Sequence, residues 1–251
     1  MKSIKTIAIS ISIIVALLVA LFVGYCVYMQ KTESAKLHPT ATKEVVEGIY
    51  AIKDAATPVN VFLIKSEDGY IAIDAGANSA NVQQGLEFLK IAPEKVTAIF
   101  LTHTDMDHVG SIQLFKNAKV YISSAEEQMI NGKTARAFGS LMNSLNVPYE
   151  KLQKNQAIDI SGVSVKGILT PGHTPGHMCY LVDGKYLFTG DTLSLKNGKA
   201  ELFSEIFDMD QKEEAESIKQ LALLPNIKYM FTAHHGCTNN FKKAMHHWIS
   251  K

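Results

Sequence analysis

Apolar residues follow different rhythms along this 251-residue chain. The first stretch has none. From Ile7 to Met29 no charged residue interrupts the apolar run, with Lys2 and Lys5 before it and Gln30 and Lys31 after it. As a helix rising about 1.5 Å per residue, that run spans about 30 Å, the depth of a bilayer's hydrocarbon core. It exceeds the apolar region of a cleavable signal, about 7–15 residues, and no Ala-x-Ala site follows it. Val23-Gly24-Tyr25-Cys26 is similar to a lipoprotein cleavage box, but Tyr25 stands where a small residue belongs. The expectation is a single-pass cell-membrane anchor over residues 1–30, with secretion after cleavage as the alternative. The short basic head places itself in the cytoplasm and the rest of the chain outside.

Residues 31–44 are polar and aperiodic, and read as a tether. Beyond them the pattern alternates between period two and period 3.6. Val46–Lys53 and Val59–Ile64 read as strands. Ser66-Glu67-Asp68-Gly69 reads as a hairpin turn and Tyr70–Ile73 as the returning strand. Asn81–Leu89 has helical spacing, Val96–Leu101 is a strand, and Val109–Phe115 a helix. Ala118–Ile122 is a strand, and Ser123-Ser124-Ala125-Glu126 reads as a helix cap. The stretch Asn131–Pro148 mixes Gly132, Gly139 and Asn143 with Phe138, Leu141 and Met142, and reads as a mobile helical flap. Ala157–Ile160, Val163–Leu169, Met178–Val182 and Lys185–Thr189 follow as strands, the last two joined by a type I′ turn at Asp183-Gly184. An amphipathic helix from Asp208 to Leu224, a strand Ile227–Phe231 and a helix Asn240–Ile249 close the chain. Strands followed by helices, twice over, predict two face-to-face sheets with helices outside, in residues 45–251.

Composition narrows the function. A formal net charge of +1 with scattered lysines gives no electrostatic footprint for nucleic acid. Three cysteines, one of them in the apolar N-terminus, are too few for a disulfide framework; Cys179 and Cys237 read as free thiols. No Gly-x-Ser-x-Gly elbow and no phosphate-cradling glycine loop is present.

The chemistry is concentrated in Leu101-Thr-His-Thr-Asp-Met-Asp-His-Val-Gly110. His103, Asp105, Asp107 and His108 crowd into six residues after an apolar strand. Imidazole nitrogen with carboxylate oxygen suits zinc, iron or manganese. Three later islands repeat one arrangement, a strand end, small residues, then a ligand-type side chain. They are Thr170-Pro-Gly-His-Thr-Pro-Gly-His177, Thr189-Gly-Asp-Thr192 and Thr232-Ala-His-His-Gly236. Glycine and proline there permit abrupt turns close to an ion.

Together these motifs resemble the metallo-β-lactamase superfamily, and Ile73-Asp74-Ala75-Gly76 matches its early Asp-x-Gly turn. The resemblance runs from about residue 46 to residue 251. It implies an α/β (α+β) fold, a four-layer αββα sandwich, with two divalent metal ions at one edge. By it, His103, Asp105 and His173 would hold one ion, Asp107, His108 and His234 the other, and Asp191 would bridge them. Asp107 would also be catalytic, orienting the attacking water and taking up its proton. Asp105 departs from the pattern, since the family usually has His there. Carboxylate still ligates zinc, and it favours harder ions, so zinc is expected first, with iron or manganese open at the Asp105 position. His235, which directly precedes Gly236, is the alternative to His234. His177 is expected to anchor a loop, Asp74 to orient a ligand imidazole, and His246-His247 to lie on the surface.

The resemblance implies metal-dependent hydrolysis of a small-molecule ester, lactone, thioester or phosphodiester. A bridging Asp191 argues against a true β-lactamase, whose branch lacks it. Two alternatives share the fold, a catalytically silent metal-binding or ligand-sensing module and a mono-iron persulfide oxygenase.

Overall fold

A computed structural model describes residues 2–55, 57–136 and 145–249. The expected flap therefore falls partly, at 137–144, outside the described residues. Contacts divide the chain into units 1–37 and 38–251. The first unit is a helix, α1 (Lys2–Ser34). Its segment Ser12–Met29 has mean hydropathy 2.5 and, among the described residues, no buried side chain, and is long and apolar enough to cross a membrane.

The polar stretch 31–44 is divided between the two units. Its first residues continue α1, because neither glycine nor proline interrupts the helix before Pro39. From His38 onward the chain is bonded into the second unit. The His38 N–H donates to the His234 carbonyl at 2.7 Å, and Thr40 N–H to Asn60 Oδ1 at 2.7 Å.

In the second unit, β1 (Lys43–Val46), β2 (Ile49–Asp54), β3 (Val59–Lys65), β4 (Tyr70–Ile73), β5 (Val96–Phe100), β6 (Lys119–Ser123) and β7 (Glu150–Leu152) form one sheet in sequence order. Pairing is antiparallel through β4 and parallel from β4 to β7. The helix α2 (Ser79–Leu89) links β4 to β5; Asn78 caps it by accepting from the N–H groups of Ala80 and Asn81. The second sheet uses β8 (Ala157–Ile160), β9 (Val163–Leu169), β10 (Met178–Val182) and β11 (Tyr186–Phe188). A separate hairpin, β12 (Ser194–Lys196) and β13 (Lys199–Glu201), follows. The sheet is completed by β14 (Tyr229–Phe231) and β15 (Cys237–Thr238), in the order β15-β14-β11-β10-β9-β8. Asp183 and Gly184 have φ of 49° and 65°, as the type I′ turn requires.

Alternation along the strands builds three apolar layers. In β3, Phe62 and Ile64 face the second sheet while Val61 and Leu63 face α2. Between the sheets, Phe62 meets Phe188 and Phe231 at ring separations of 5.4 and 5.3 Å, and Phe100 meets Tyr180 at 5.3 Å. On the far face of the second sheet, Leu187 and Met230 join Ile218 and Leu221 of α5 (Gln211–Ala222) and Phe241, Met245 and Trp248 of α6 (Phe241–Ile249). Helix, sheet, sheet, helix is the layering the sequence implies.

Two local expectations are corrected. The helix expected over Val109–Phe115 is a short α3 (Met106–Val109) followed by a separate 3-10 turn at Ile112–Leu114. The Ser111 N–H turns away to the Gly76 carbonyl at 3.1 Å, which ends the helical ladder. The Glu126 side chain does not cap α4 (Glu127–Ile130). It points inward to Thr104 and Thr174 instead.

Candidate metal centre

Each candidate ligand lies just past a strand end on one edge of the sandwich. His103 and Asp105 follow β5, and α3 carries Asp107 and His108. His173 follows β9, Asp191 follows β11, and His234 lies between β14 and β15. Two glycines allow the approach. Gly190, φ 50°, precedes Asp191, and a Cβ there would lie 2.7 Å from His177 Nε2. Gly172, φ 141°, precedes His173, and a Cβ there would run into the Glu214 backbone.

All four imidazoles are buried and turn the same way. Nδ1 of His103 lies 3.0 Å from Thr102 Oγ1, that of His108 2.8 Å from Asp74 Oδ2, that of His173 3.1 Å from Asp208 Oδ1, and that of His234 2.5 Å from the Pro58 carbonyl. A carbonyl only accepts, so His234 Nδ1 carries the hydrogen; the carboxylates favour the same tautomer in His108 and His173. Every Nε2 is thereby left facing the centre, as in metal-ligating histidines whose other nitrogen is held from behind.

The atoms facing inward form two trios sharing Asp191. In one, His173 Nε2 lies 3.3 Å and His103 Nε2 3.5 Å from Asp105 Oδ2. In the other, Asp107 Oδ2 lies 3.4 Å from His234 Nε2 and 3.9 Å from His108 Nε2. Asp191 reaches both, with Oδ2 3.5 Å from the Nε2 atoms of His108 and His173 and Oδ1 3.3 Å from His234 Nε2. Donors about 2.1 Å from a tetrahedral ion stand about 3.4 Å apart, which is the spacing found here. Each trio of His103, Asp105 and His173, and of Asp107, His108 and His234, is close enough to hold an ion. His103 Nε2, His108 Nε2 and Asp191 Oδ1 are buried without a hydrogen-bond partner. Such atoms are costly to bury unless something binds them, so the residues fit a metal.

Charge points the same way. Burial pushes Asp191 up, but His234 and His108 outweigh it and hold its carboxyl well below the usual range. Burial likewise opposes a charge on His108, yet Asp191, Asp74 and Asp107 raise it well above the usual histidine value. The carboxylates thus make the cluster attractive to a cation.

His235 lies outside the cluster; burial, then His234, lowers its pKa to about 4. His177 is buried behind the site. Its Nε2 accepts the Asp191 N–H at 3.1 Å, and its Nδ1 lies 3.0 Å from both Thr170 Oγ1 and Thr192 Oγ1. Cys179 and Cys237 are free, and burial pushes Cys179 up to about 12.

Sequence reasoning passes over three residues. Asp208, read only as the start of a helix, backs His173; the helix itself begins at Gln211 after Asp210 as its cap. Glu126 accepts from Thr104 N–H at 3.0 Å, Thr104 Oγ1 at 2.8 Å and Thr174 Oγ1 at 2.7 Å, tying the first ligand loop to the His173 loop. Burial raises it to about 7 against these hydrogen bonds. Arg136 reaches Asp105 and His173. Its one sequence signal is that it is the chain's only arginine.

The sequence profile of the metallo-beta-lactamase superfamily matches residues 55–234, and the chain belongs to that superfamily. Among its relatives, a hydroxyacylglutathione hydrolase of a Synechococcus strain is 27% identical over 190 residues, covering 74% of this chain and 67% of that protein. A probable polyketide biosynthesis zinc-dependent hydrolase, BaeB of Bacillus velezensis, is 31% identical over 132 residues, covering 51% of this chain and 52% of that protein. The crystal structure of an archaeal metallo-beta-lactamase superfamily protein from Sulfolobus tokodaii superposes with a TM-score of 0.58 at 25% identity, covering 81% of this chain and 85% of that one. The chain spans about half to two thirds of the length of the hydroxyacylglutathione hydrolases it matches. Its named relatives are hydrolases.

Proposed function

We propose that this chain is a membrane-anchored, metal-dependent hydrolase of small carboxylic esters, thioesters or lactones. One observation carries the reading. Four imidazole Nε2 atoms and three carboxylates converge at tetrahedral spacing, with buried atoms among them that have no other partner. His103, Asp105 and His173 would hold one ion, Asp107, His108 and His234 a second, with Asp191 between them; zinc is the first candidate, as in the zinc-dependent relative. Ions held there would supply Lewis acidity and a water whose pKa lies near 7.

The chain's own residues do the rest. Asp107, about one quarter exposed, is open enough to accept the proton of the attacking water. Asp74, Asp208, Thr102 and the Pro58 carbonyl hold the imidazoles by their outer nitrogens. His177 holds the Asp191 backbone. Thioesters lead the substrate class because hydroxyacylglutathione hydrolases are among the relatives this chain matches. Helix α1 supports a single-pass anchor, with the catalytic unit outside the cytoplasm.

Metal analysis of the full-length chain, coupled to a panel of chromogenic esters, thioesters, lactones and phosphodiesters, tests the reading. Two bound ions and turnover of an acyl substrate are expected, both lost in the double variant His103→Ala, Asp191→Ala. Well-folded, ion-replete protein that retains no metal would overturn it. Two ions without turnover on any substrate would mark a metal-binding module instead.

A further inference from the structure

Arg136 is the chain's only arginine among 25 lysines and arginines, and its guanidinium is committed to the ligand cluster. Nε donates to Asp105 Oδ1 at 3.3 Å and Nη2 to Asp105 Oδ2 at 2.5 Å. Nη1 donates to the Phe207 carbonyl. Nη2 also lies 3.0 Å from His173 Nε2 and 3.5 Å from the His173 carbonyl. Two residues earlier, Thr134 fixes the approach; its N–H donates to the Gln128 carbonyl at 3.0 Å and its Oγ1 to Gln128 Oε1 at 2.7 Å. A lysine would bring the charge but not the planar fork that grips both oxygens of a carboxylate.

The contact with His173 decides what this arginine does. Nδ1 of His173 faces Asp208, so its free lone pair is on Nε2. The surrounding carboxylates favour a proton on Nε2, whereas a guanidinium donor requires a lone pair. The 3.0 Å contact to Arg136, shorter than the 3.3 Å to Asp105 Oδ2, favours the second. An imidazole nitrogen has one in-plane lone pair, which accepts from a guanidinium or binds an ion but does not do both. The same fork occupies both oxygens of Asp105 and sets a fixed positive charge beside the trio. Among the described residues, no lysine or arginine forms a comparable pair with Asp107, His108 or His234.

We propose that Arg136 is a built-in competitor for the ion at His103, Asp105 and His173, so that the two positions fill in order. The first ion goes to Asp107, His108 and His234; the second enters the other trio as the guanidinium gives up His173. This rests on the reading of both trios as metal positions.

A single arginine makes the test direct. In full-length protein labelled only with 15N-arginine and held in detergent micelles, there is one side-chain Nε–H signal, assigned without mutagenesis. On titration with Zn2+, the first equivalent should leave that signal in place and the second should move it. Competition with a chelating indicator gives an independent readout. Arg136→Ala should tighten the weaker of two binding events about tenfold or more and leave the tighter one unchanged, with Arg136→Lys between. The proposal is overturned if the signal moves with the first equivalent or with neither. It is also overturned if Arg136→Ala leaves the weaker event unchanged or weakens it, the result expected of an arginine that merely supports Asp105. Failure of the wild type to bind zinc at all would instead bring down the metal reading, and this proposal with it. The wild-type titration stands whether or not a variant folds.

Discussion

Asp74 Oδ2 lies 2.8 Å from His108 Nδ1, joining the turn after β4 to the imidazole carried by α3. The same carboxylate accepts from the N–H of Thr102 at 2.8 Å and from its Oγ1 at 2.9 Å, and Thr102 Oγ1 in turn backs His103. One side chain thus sets the direction of a ligand in each trio. Asp74→Ala should weaken metal retention about 10- to 100-fold, as loss of such backing residues does. Chelator competition on folded protein measures it, and retention equal to wild type would show that the imidazoles hold their direction unaided.

His234 and His235 should separate cleanly. His234→Ala removes a donor shared between Asp107 and Asp191, so one ion should be lost. His235→Ala should leave metal content unchanged. Elemental analysis of the two proteins decides it, and the reverse pattern would transfer the ligand role to His235.

Glu126 gives a pH signature. Its carboxyl rises from 4.5 to about 7 in the folded chain. Between those values the folded state holds a proton that the unfolded state has released, so this group's contribution to stability falls as pH rises from about 4.5 to 7. Relative to Glu126→Gln, wild type should lose stability across that window, on the order of 3 kcal/mol. Denaturant midpoints at pH 5 and pH 8 provide the comparison; parallel curves for the two proteins would mean that Glu126 stays in one form throughout.

Phe62 is the joint between the sheets. It touches Phe188 and Phe231 and is 3% exposed. Phe62→Ala should cost about 3–5 kcal/mol through lost contacts and the cavity left behind. Equilibrium unfolding checks this, and a cost under about 1 kcal/mol would mean that the interface collapses around the gap.

The candidate ligands are legible in the sequence because the first four fall within six residues and the others follow apolar strands with glycine nearby. Their supports are not. Asp208 reaches back 35 residues to His173, Arg136 reaches 31 residues to Asp105, and Pro58 supplies a carbonyl to a histidine 176 residues away. Such contacts exist only once the sheets have paired, and a backbone carbonyl leaves no mark in residue type. Length governs the strands in the same way. β3 and β9 each have seven residues and declare themselves, β3 by a nearly continuous apolar run and β9 by alternation. β12, β13 and β15, at two or three residues each, are too short to show a period.

Each ligand trio takes two members from the loop and short helix after β5 and one from a loop of the opposite sheet. An ion bound there would be a rivet through the seam of the sandwich. Neither half of the chain assembles a trio by itself, so a complete trio exists only once the halves have met. A bound ion would therefore report that the two sheets have paired.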